Sequence, residues 1–137
     1  KETTMKAIST AAATLGSTHY RTEISTKDFT LHCDEPVALG GANSAPAPYD
    51  YLVAGLAACT LITLRMYGEH KGWELGELSV NMTLSQDKEK NTYIHRKLSA
   101  SAELSDEQWE RMLNIASKTP VTLTLMHGSK ITTERAD

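Results

Sequence analysis

The chain has 137 residues, two cysteines and a formal net charge of −3 at pH 7. Its length suits one domain with a hydrophobic core, and we expect residues 1–137 to form that domain. The sequence has no lysine–arginine cluster and no cationic amphipathic stretch, so it predicts neither a nucleic-acid nor a membrane partner. Because it shows no secretory pattern and too few cysteines for a disulfide framework, we expect a cytoplasmic protein.

The N-terminal part of the chain predicts strands followed by a long loop. Small and β-branched residues over Met5–Thr14 favour a strand. Tyr20–Ser25 and Phe29–Cys33 each alternate polar and apolar side chains on either side of a short polar turn, which predicts a β-hairpin. The segment Asp34–Pro48 is rich in glycine and proline and predicts a loop.

A long helix is predicted over Pro48–Gly72, with Cys59 near the middle of its apolar run. Proline is well tolerated in the first turn of a helix, and the acidic Asp50 favours the same end. Apolar residues recur at helical spacing while alanine and glycine fill the remaining positions, so we expect the buried central helix of the domain. The apolar run is too short for a typical membrane span.

A second hairpin is predicted after the central helix. Apolar and polar residues alternate over Leu78–Ser85, which favours a half-buried strand. Thr92–Ala102 is expected to pair with it antiparallel, with Ile94, Arg96 and Leu98 on one face.

The last part of the chain predicts a second helix and two strands. Ser105 and Gln108 have the spacing of a capping box at a helix start. The alternation over Val121–Met126 favours a strand, and Ile131–Glu134 is expected to form a last edge strand. The predicted order β-β-β-α-β-β-α-β is typical of an α+β fold.

Cys59 is the residue around which we expect any chemistry to occur. A free cysteine on an apolar helix is most often a small, inert packing residue. A reactive thiolate needs a positive charge close by, and Cys59 lies beyond the first turn, where the helix dipole has faded. Arg21, Arg65 or Arg96 would have to supply that charge, so both interpretations stay open.

Metal and cofactor sites are not predicted. No HxxxH, HExxH or CxxC spacing occurs, and neighbours in the run His32-Cys33-Asp34-Glu35 point to opposite faces of a strand. Gly40 and Gly41 are not followed by a phosphate-binding pattern.

One long stretch, DEPVALGGANSAPAPYDYLVAGLAACTLITLRMY, closely resembles the OsmC/Ohr family in its OsmC-like branch. The likeness continues through Lys71-Gly72-Trp73 and LSDEQWERMLNIASKTPV. The resemblance implies an intertwined homodimer of α+β chains, with the cysteine-bearing helices at its centre. It also implies a short helical turn within Pro120–Met126 in place of a strand.

The resemblance implies peroxidase chemistry at Cys59. Enzymes of this family reduce organic hydroperoxides with a thiolate on the central helix, which becomes a sulfenic acid. A second cysteine then closes a disulfide, and a dithiol reopens it. Thr119 occupies the position of that resolving cysteine, and because a hydroxyl cannot form a disulfide we expect no catalytic role for it.

The other positions that the resemblance singles out also depart from the family pattern. Tyr49 stands where the hydroperoxide reductases have a catalytic glutamate, and Asp50 is the nearest carboxylate that would replace it. The family's catalytic arginine comes from the N-terminal hairpin, where Arg21 is the only arginine. Cys33 has no evident claim to act as a resolving thiol.

Two hypotheses follow. The first is a one-cysteine peroxidase of the oxidative stress response, in which Cys59 reduces a small organic hydroperoxide and an external thiol or dithiol restores it. The second is a non-enzymatic dimer that binds a small apolar or thiol ligand, with Cys59 as a packing residue.

Overall fold

A computed structural model describes residues 4–136. It contains one three-stranded and one two-stranded antiparallel sheet and three α-helices, which confirms the α+β prediction. The chain divides into two compact units, one that ends at Leu52 and one that begins at Val53. Each unit has its own sheet.

The first unit contains the strands β1 (Ala12–Leu15), β2 (Thr22–Thr26) and β3 (Phe29–Cys33), in the order β1-β2-β3. The predicted hairpin is β2 and β3 and is confirmed. The strand predicted from Met5 is wrong before Ala12. Ala12 pairs with Ser25 and β2 ends at the next residue, so the described residues 4–11 have no partner strand.

The loop that follows β3 is folded around one buried carboxylate. Asp34 accepts hydrogen bonds from the backbone N–H groups of Glu35 at 2.7 Å, Ala42 at 3.3 Å and Ser44 at 3.0 Å. The Ser44 hydroxyl donates a fourth, at 2.6 Å. A single 3-10 turn, Val37–Leu39, lies within this loop. The loop is therefore ordered by side-chain bonds to its own backbone.

The helix α1 (Pro48–Lys71) confirms the predicted long helix. Its buried residues recur at every fourth position: Leu56, Thr60, Leu64 and Gly68. On other faces Ile62 is 54% exposed and Met66 is 64% exposed. By length and composition α1 could cross a membrane, and only 22% of that apolar window is buried. Within one chain, therefore, a single face of α1 is covered.

The second unit contains the hairpin of β4 (Leu78–Gln86) and β5 (Thr92–Ala100), which confirms both predicted strands. Directly paired residues of an antiparallel ladder share a face. The pairs Val80–Leu98, Met82–Arg96 and Leu84–Ile94 therefore place one arginine in an apolar face.

The helix α2 (Asp106–Ala116) begins with the predicted capping box. The backbone N–H of Gln108 donates to the Ser105 hydroxyl at 3.1 Å, and the backbone N–H of Ser105 donates to the side-chain Oε1 of Gln108 at 2.9 Å. This helix contributes to the core of the second unit, whose buried residues are Leu64, Leu75, Met112 and Ala116.

The helix α3 (Pro120–His127) occupies the segment in which alternation predicted a strand. The strand prediction is wrong, and the helical turn implied by the family resemblance is confirmed. Pro120 opens the helix because its fixed φ and missing N–H suit the first helical position. Ile131–Glu134 forms no strand either, since it pairs with none of the strands described.

Candidate functional site

Cys59 lies half-buried on α1 and outside the buried core cluster of its unit. Its sulfur is 3.9 Å from the hydroxyl of Thr63, one helical turn further along. A sulfur with partial exposure and a polar neighbour differs from the fully enclosed cysteine that an inert packing role implies.

The guanidinium of Arg96 joins three elements of the second unit beside Cys59. Its Nη1 donates to the hydroxyl of Thr60 on α1 at 3.0 Å and to the hydroxyl of Thr122 on α3 at 2.9 Å. Arg96 itself comes from β5. Thr60 directly follows Cys59 in the chain, and a negative charge at Cys59 raises the pKa of Arg96, so the guanidinium lies within electrostatic range of the sulfur.

Two opposing effects act on Arg96. Burial lowers the pKa of its guanidinium below the ordinary value, and the negative charge of a Cys59 thiolate raises it in part. Within residues 4–136 the only side-chain ion pair joins His32 and Glu23, so no carboxylate neutralises Arg96. Its partners are neutral hydroxyls, which leaves its charge available to an anion at Cys59.

Thr119, which the family resemblance places at the position of the resolving cysteine, is fully buried. Its hydroxyl lies 2.7 Å from the hydroxyl of Thr122. Thr119 therefore belongs to the hydrogen-bonded group that includes Arg96, Thr60 and Thr122, which we call the Arg96 cluster.

Arg21 and Asp50 make their bonds within the first unit. Arg21 donates from Nη1 to the hydroxyl of Ser44 at 2.7 Å and to its carbonyl at 3.3 Å. Asp50 accepts from the backbone N–H of Ala47 at 2.9 Å, at the start of α1. Tyr49 is 60% exposed. The predicted roles of Arg21 and Asp50 in the chemistry of Cys59 stay predictions.

Cys33 is buried at the end of β3. It lines a cavity of about 380 Å³ together with Tyr20, Glu35 and Leu39. Among residues 4–136 no group of three or more His, Cys, Asp or Glu side chains is placed to hold a metal ion.

Sequence reasoning named Arg96 only as one of three possible cations and missed Thr60 and Thr122. A usable signal was present, because an arginine on the apolar face of a strand needs buried partners. The partners themselves were hidden, since they lie 36 and 26 residues away in the chain. Arg65, the third possible cation, donates to the carbonyl of Gly76.

Solved structures with the same fold come from several bacteria. A Psychrobacter arcticus 273-4 protein, named for the osmotic stress and detoxification response, has a TM-score of 0.76 at 20% identity, over 88% of this chain and 90% of that chain. An organic hydroperoxide resistance protein OsmC from Legionella pneumophila has a TM-score of 0.65 at 23% identity, over 88% and 91%. An OsmC-like protein from Mycoplasma pneumoniae has a TM-score of 0.70 at 19% identity, over 89% of each chain.

The family is assigned from the sequence itself. No curated protein matches the chain. The OsmC family, described as OsmC-like protein, matches residues 41–134, a range that includes Cys59, the Arg96 cluster and all three helices. The chain therefore belongs to the family of OsmC-like proteins.

Proposed function

We propose that this chain is a thiol-dependent reductase of organic hydroperoxides that uses Cys59 as a single peroxidatic cysteine. The observation that carries the proposal is the Arg96 guanidinium, which two hydroxyls hold within electrostatic range of Cys59. Within residues 4–136 no carboxylate forms an ion pair with it. A nearby positive charge favours the thiolate, which is the nucleophilic form of cysteine. The name of the Legionella pneumophila relative, an organic hydroperoxide resistance protein, is consistent with this chemistry.

The oxidation step transfers two electrons from sulfur to the peroxide. The Cys59 thiolate attacks the terminal oxygen of the hydroperoxide, so that a sulfur–oxygen bond forms as the oxygen–oxygen bond breaks. The alkoxide leaves and takes a proton from water to become an alcohol. Cys59 is left as a sulfenic acid, next to the guanidinium that favoured its thiolate.

The reduction step requires thiols from outside the chain. The hydroxyl of Thr119 cannot displace oxygen from a sulfenic acid to give a disulfide. An external thiol therefore attacks the Cys59 sulfur, releases water and forms a mixed disulfide. A second thiol, or the second sulfur of a dithiol, attacks this disulfide and returns Cys59 to its thiolate. A cytoplasmic location, where thiols are kept reduced, suits such a cycle.

The active form is proposed to be a homodimer of a single OsmC-like domain. The exposed apolar side chains of α1, such as Ile62 and Met66, support this assembly, because a second copy would cover them. Sedimentation at micromolar concentration should give the mass of two chains, and a stable folded monomer would contradict the proposal. Arg21 and Asp50 are kept as secondary candidates for the site.

The proposal is tested by trapping the oxidised sulfur. Reduced protein is treated with cumene hydroperoxide in the presence of dimedone, and peptide mass spectrometry locates the adduct. We expect the adduct on Cys59, and we expect Cys59→Ser to abolish hydroperoxide reduction driven by a dithiol. Cys33→Ser is the matched control and should keep the activity.

A different result would favour the ligand-binding hypothesis. If Cys59 gives no sulfenic acid, or if Cys59→Ser reduces hydroperoxide as fast as the unmodified chain, Cys59 is not peroxidatic. If the unmodified chain also shows no dithiol-driven reduction of hydroperoxide, it is a non-enzymatic OsmC-like protein.

A further inference from the structure

The hydrogen bonds of the Arg96 cluster leave the guanidinium little freedom. Nη1 carries two hydrogens, and each has an acceptor, the hydroxyl oxygen of Thr60 or that of Thr122. Thr60 gives its own hydrogen to the carbonyl of Leu56 at 2.8 Å, which directs its oxygen lone pairs away from the helix backbone. One of the two acceptors is therefore oriented by α1 itself.

The second acceptor is oriented by Thr119. Thr122 and Thr119 are 6% and 0% exposed, and their hydroxyl oxygens are 2.7 Å apart. Thr119 is the N-cap residue of α3, yet its side chain makes no capping bond. An N-cap threonine ordinarily accepts a backbone N–H of the first turn. Here that hydroxyl is bonded to another side chain, the one that holds Arg96.

We propose that Thr122 is a positioning residue for the chemistry of Cys59, because its hydroxyl, oriented by Thr119, fixes the Arg96 guanidinium beside the sulfur. The inference rests on the role that the proposed function gives to Arg96. Without the Thr122 hydroxyl, Nη1 keeps one of its two bonds and the half-buried guanidinium can turn about its side-chain torsions. The charge then spends less time next to the sulfur, and less thiolate forms near neutral pH.

The test measures the thiolate directly and needs no peroxide. In a Cys33→Ser background, the rate of alkylation of Cys59 by iodoacetamide is measured at about pH 7 and at about pH 10, and the ratio of the two rates reports the ionised fraction. Thr122→Val keeps the shape of the side chain and removes the acceptor. We expect it to lower the ratio of the rate at about pH 7 to the rate at about pH 10 by about threefold to tenfold, an effect of the size of one ordinary hydrogen bond.

Three further variants make the result specific. Thr122→Ser retains the hydroxyl and should restore the ratio to within about twofold of the parent protein. Thr124→Val changes an exposed threonine of the same helix and should leave the ratio unchanged. Thr119→Val should lower the ratio in the same direction but by less, and it replaces Thr122→Val if that variant does not fold.

The outcomes separate this inference from the proposed function. If Thr122→Val lowers the unfolding temperature but keeps the parent ratio, Thr122 is only structural and the inference is overturned, while sulfenic acid formation on Cys59 is untouched. If Thr122→Val lowers the ratio although no hydroperoxide oxidises Cys59, the inference holds and the peroxidase proposal fails.

Discussion

Two arginines of this protein donate to side-chain hydroxyls, but the two series of hydrogen bonds end differently. Arg21 donates to the Ser44 hydroxyl at 2.7 Å, and that hydroxyl donates to the carboxylate of Asp34 at 2.6 Å. Arg96 donates to Thr60, whose hydroxyl donates to a neutral backbone carbonyl at 2.8 Å. The hydrogen bonds of Arg21 connect its positive charge to the negative charge of Asp34. The hydrogen bonds of Arg96 connect its positive charge only to neutral groups.

From this difference we propose that Arg21 mainly orders a loop, whereas Arg96 is available to a reacting group. Where Ser44 bridges Arg21 and Asp34, the two charges offset each other and order a loop. Around Arg96 the neutral hydroxyls provide geometry without cancelling the charge, so the guanidinium can favour a thiolate at Cys59. We therefore expect substitution of Arg21, which the family resemblance points to, and substitution of Arg96 to change the reactivity of Cys59 by different amounts.

The largest effect is expected from removing the charge of Arg96. Arg96→Met should slow the oxidation of Cys59 by cumene hydroperoxide at about pH 7 by about tenfold to a hundredfold, because the thiolate loses its neighbouring cation. Arg21→Met is the matched variant and should change the rate by less than about twofold. Stopped-flow kinetics on reduced protein measures both. The opposite order would transfer the activating role to Arg21.

The two cysteines should also differ. Cys59 is half-buried beside the Arg96 cluster. Cys33 is only 8% exposed and lies in the first unit, which also contains Arg21. We expect iodoacetamide to modify Cys59 about tenfold faster than Cys33 in the reduced protein, since thiolate character and access both favour it. Peptide mass spectrometry after a timed quench gives both rates. Equal rates would remove the distinction between the two sites.

Replacing Asp34, the carboxylate that accepts the hydrogen bond from Ser44, is expected to lower the stability of the folded protein. Asp34→Asn should lower the midpoint of thermal unfolding by several degrees, because an amide keeps one acceptor oxygen and places donors against the N–H groups of the loop. Asp87 accepts similar bonds from Glu89 and Asn91 in an exposed turn, so Asp87→Asn is the control and should cost less. A midpoint for Asp34→Asn equal to that of the unmodified chain would show that the loop does not depend on this carboxylate.

The smallest effect is a change of stability with pH. Hydrogen bonds from the Ser44 hydroxyl, and then from the N–H groups of Ser44 and Glu35, lower the pKa of Asp34 from 3.8 to about 2. A lowered folded-state pKa stabilises the protein above the unfolded-state value, and this contribution is lost as the pH falls from about 4 to about 2.

Urea unfolding across that interval tests the sign of this effect. The difference in midpoint between the unmodified chain and Asp34→Asn should shrink as the pH falls. A difference that stays constant or grows would contradict the assigned pKa direction.

Much of the fold could be predicted because its signals are local. Pro48 and Asp50 predict the start of α1, and the spacing of Ser105 and Gln108 predicts the start of α2. The failures occurred where a short pattern fits two structures. The run after Pro120 alternates as a strand does, yet proline at the first helical position and the contacts of Thr122 favour a helix. Ile131–Glu134 had β-branched character but no partner strand.

The site was harder to predict than the fold because its contacts join distant parts of the chain. Cys59 could be named from the sequence, as could the unusual Thr119. That Arg96 reaches Thr60 and Thr122 depends on the register of β5 against β4, which pairs Arg96 with Met82. A shift of one residue would turn Arg96 to the other face of the hairpin, and no local pattern reports such a shift.

The burial of Thr119 against Thr122 also limits how this scaffold can evolve. Cysteine at position 119 would supply an internal sulfur for disulfide closure, but a thiol is a weak donor and acceptor and would no longer orient Thr122. A descendant that acquired self-resolution would therefore loosen its own activating cation, unless a second substitution restored the lost support. Under the proposed function, dependence on an external reductant and a firmly held guanidinium are two consequences of the same Thr119 hydroxyl.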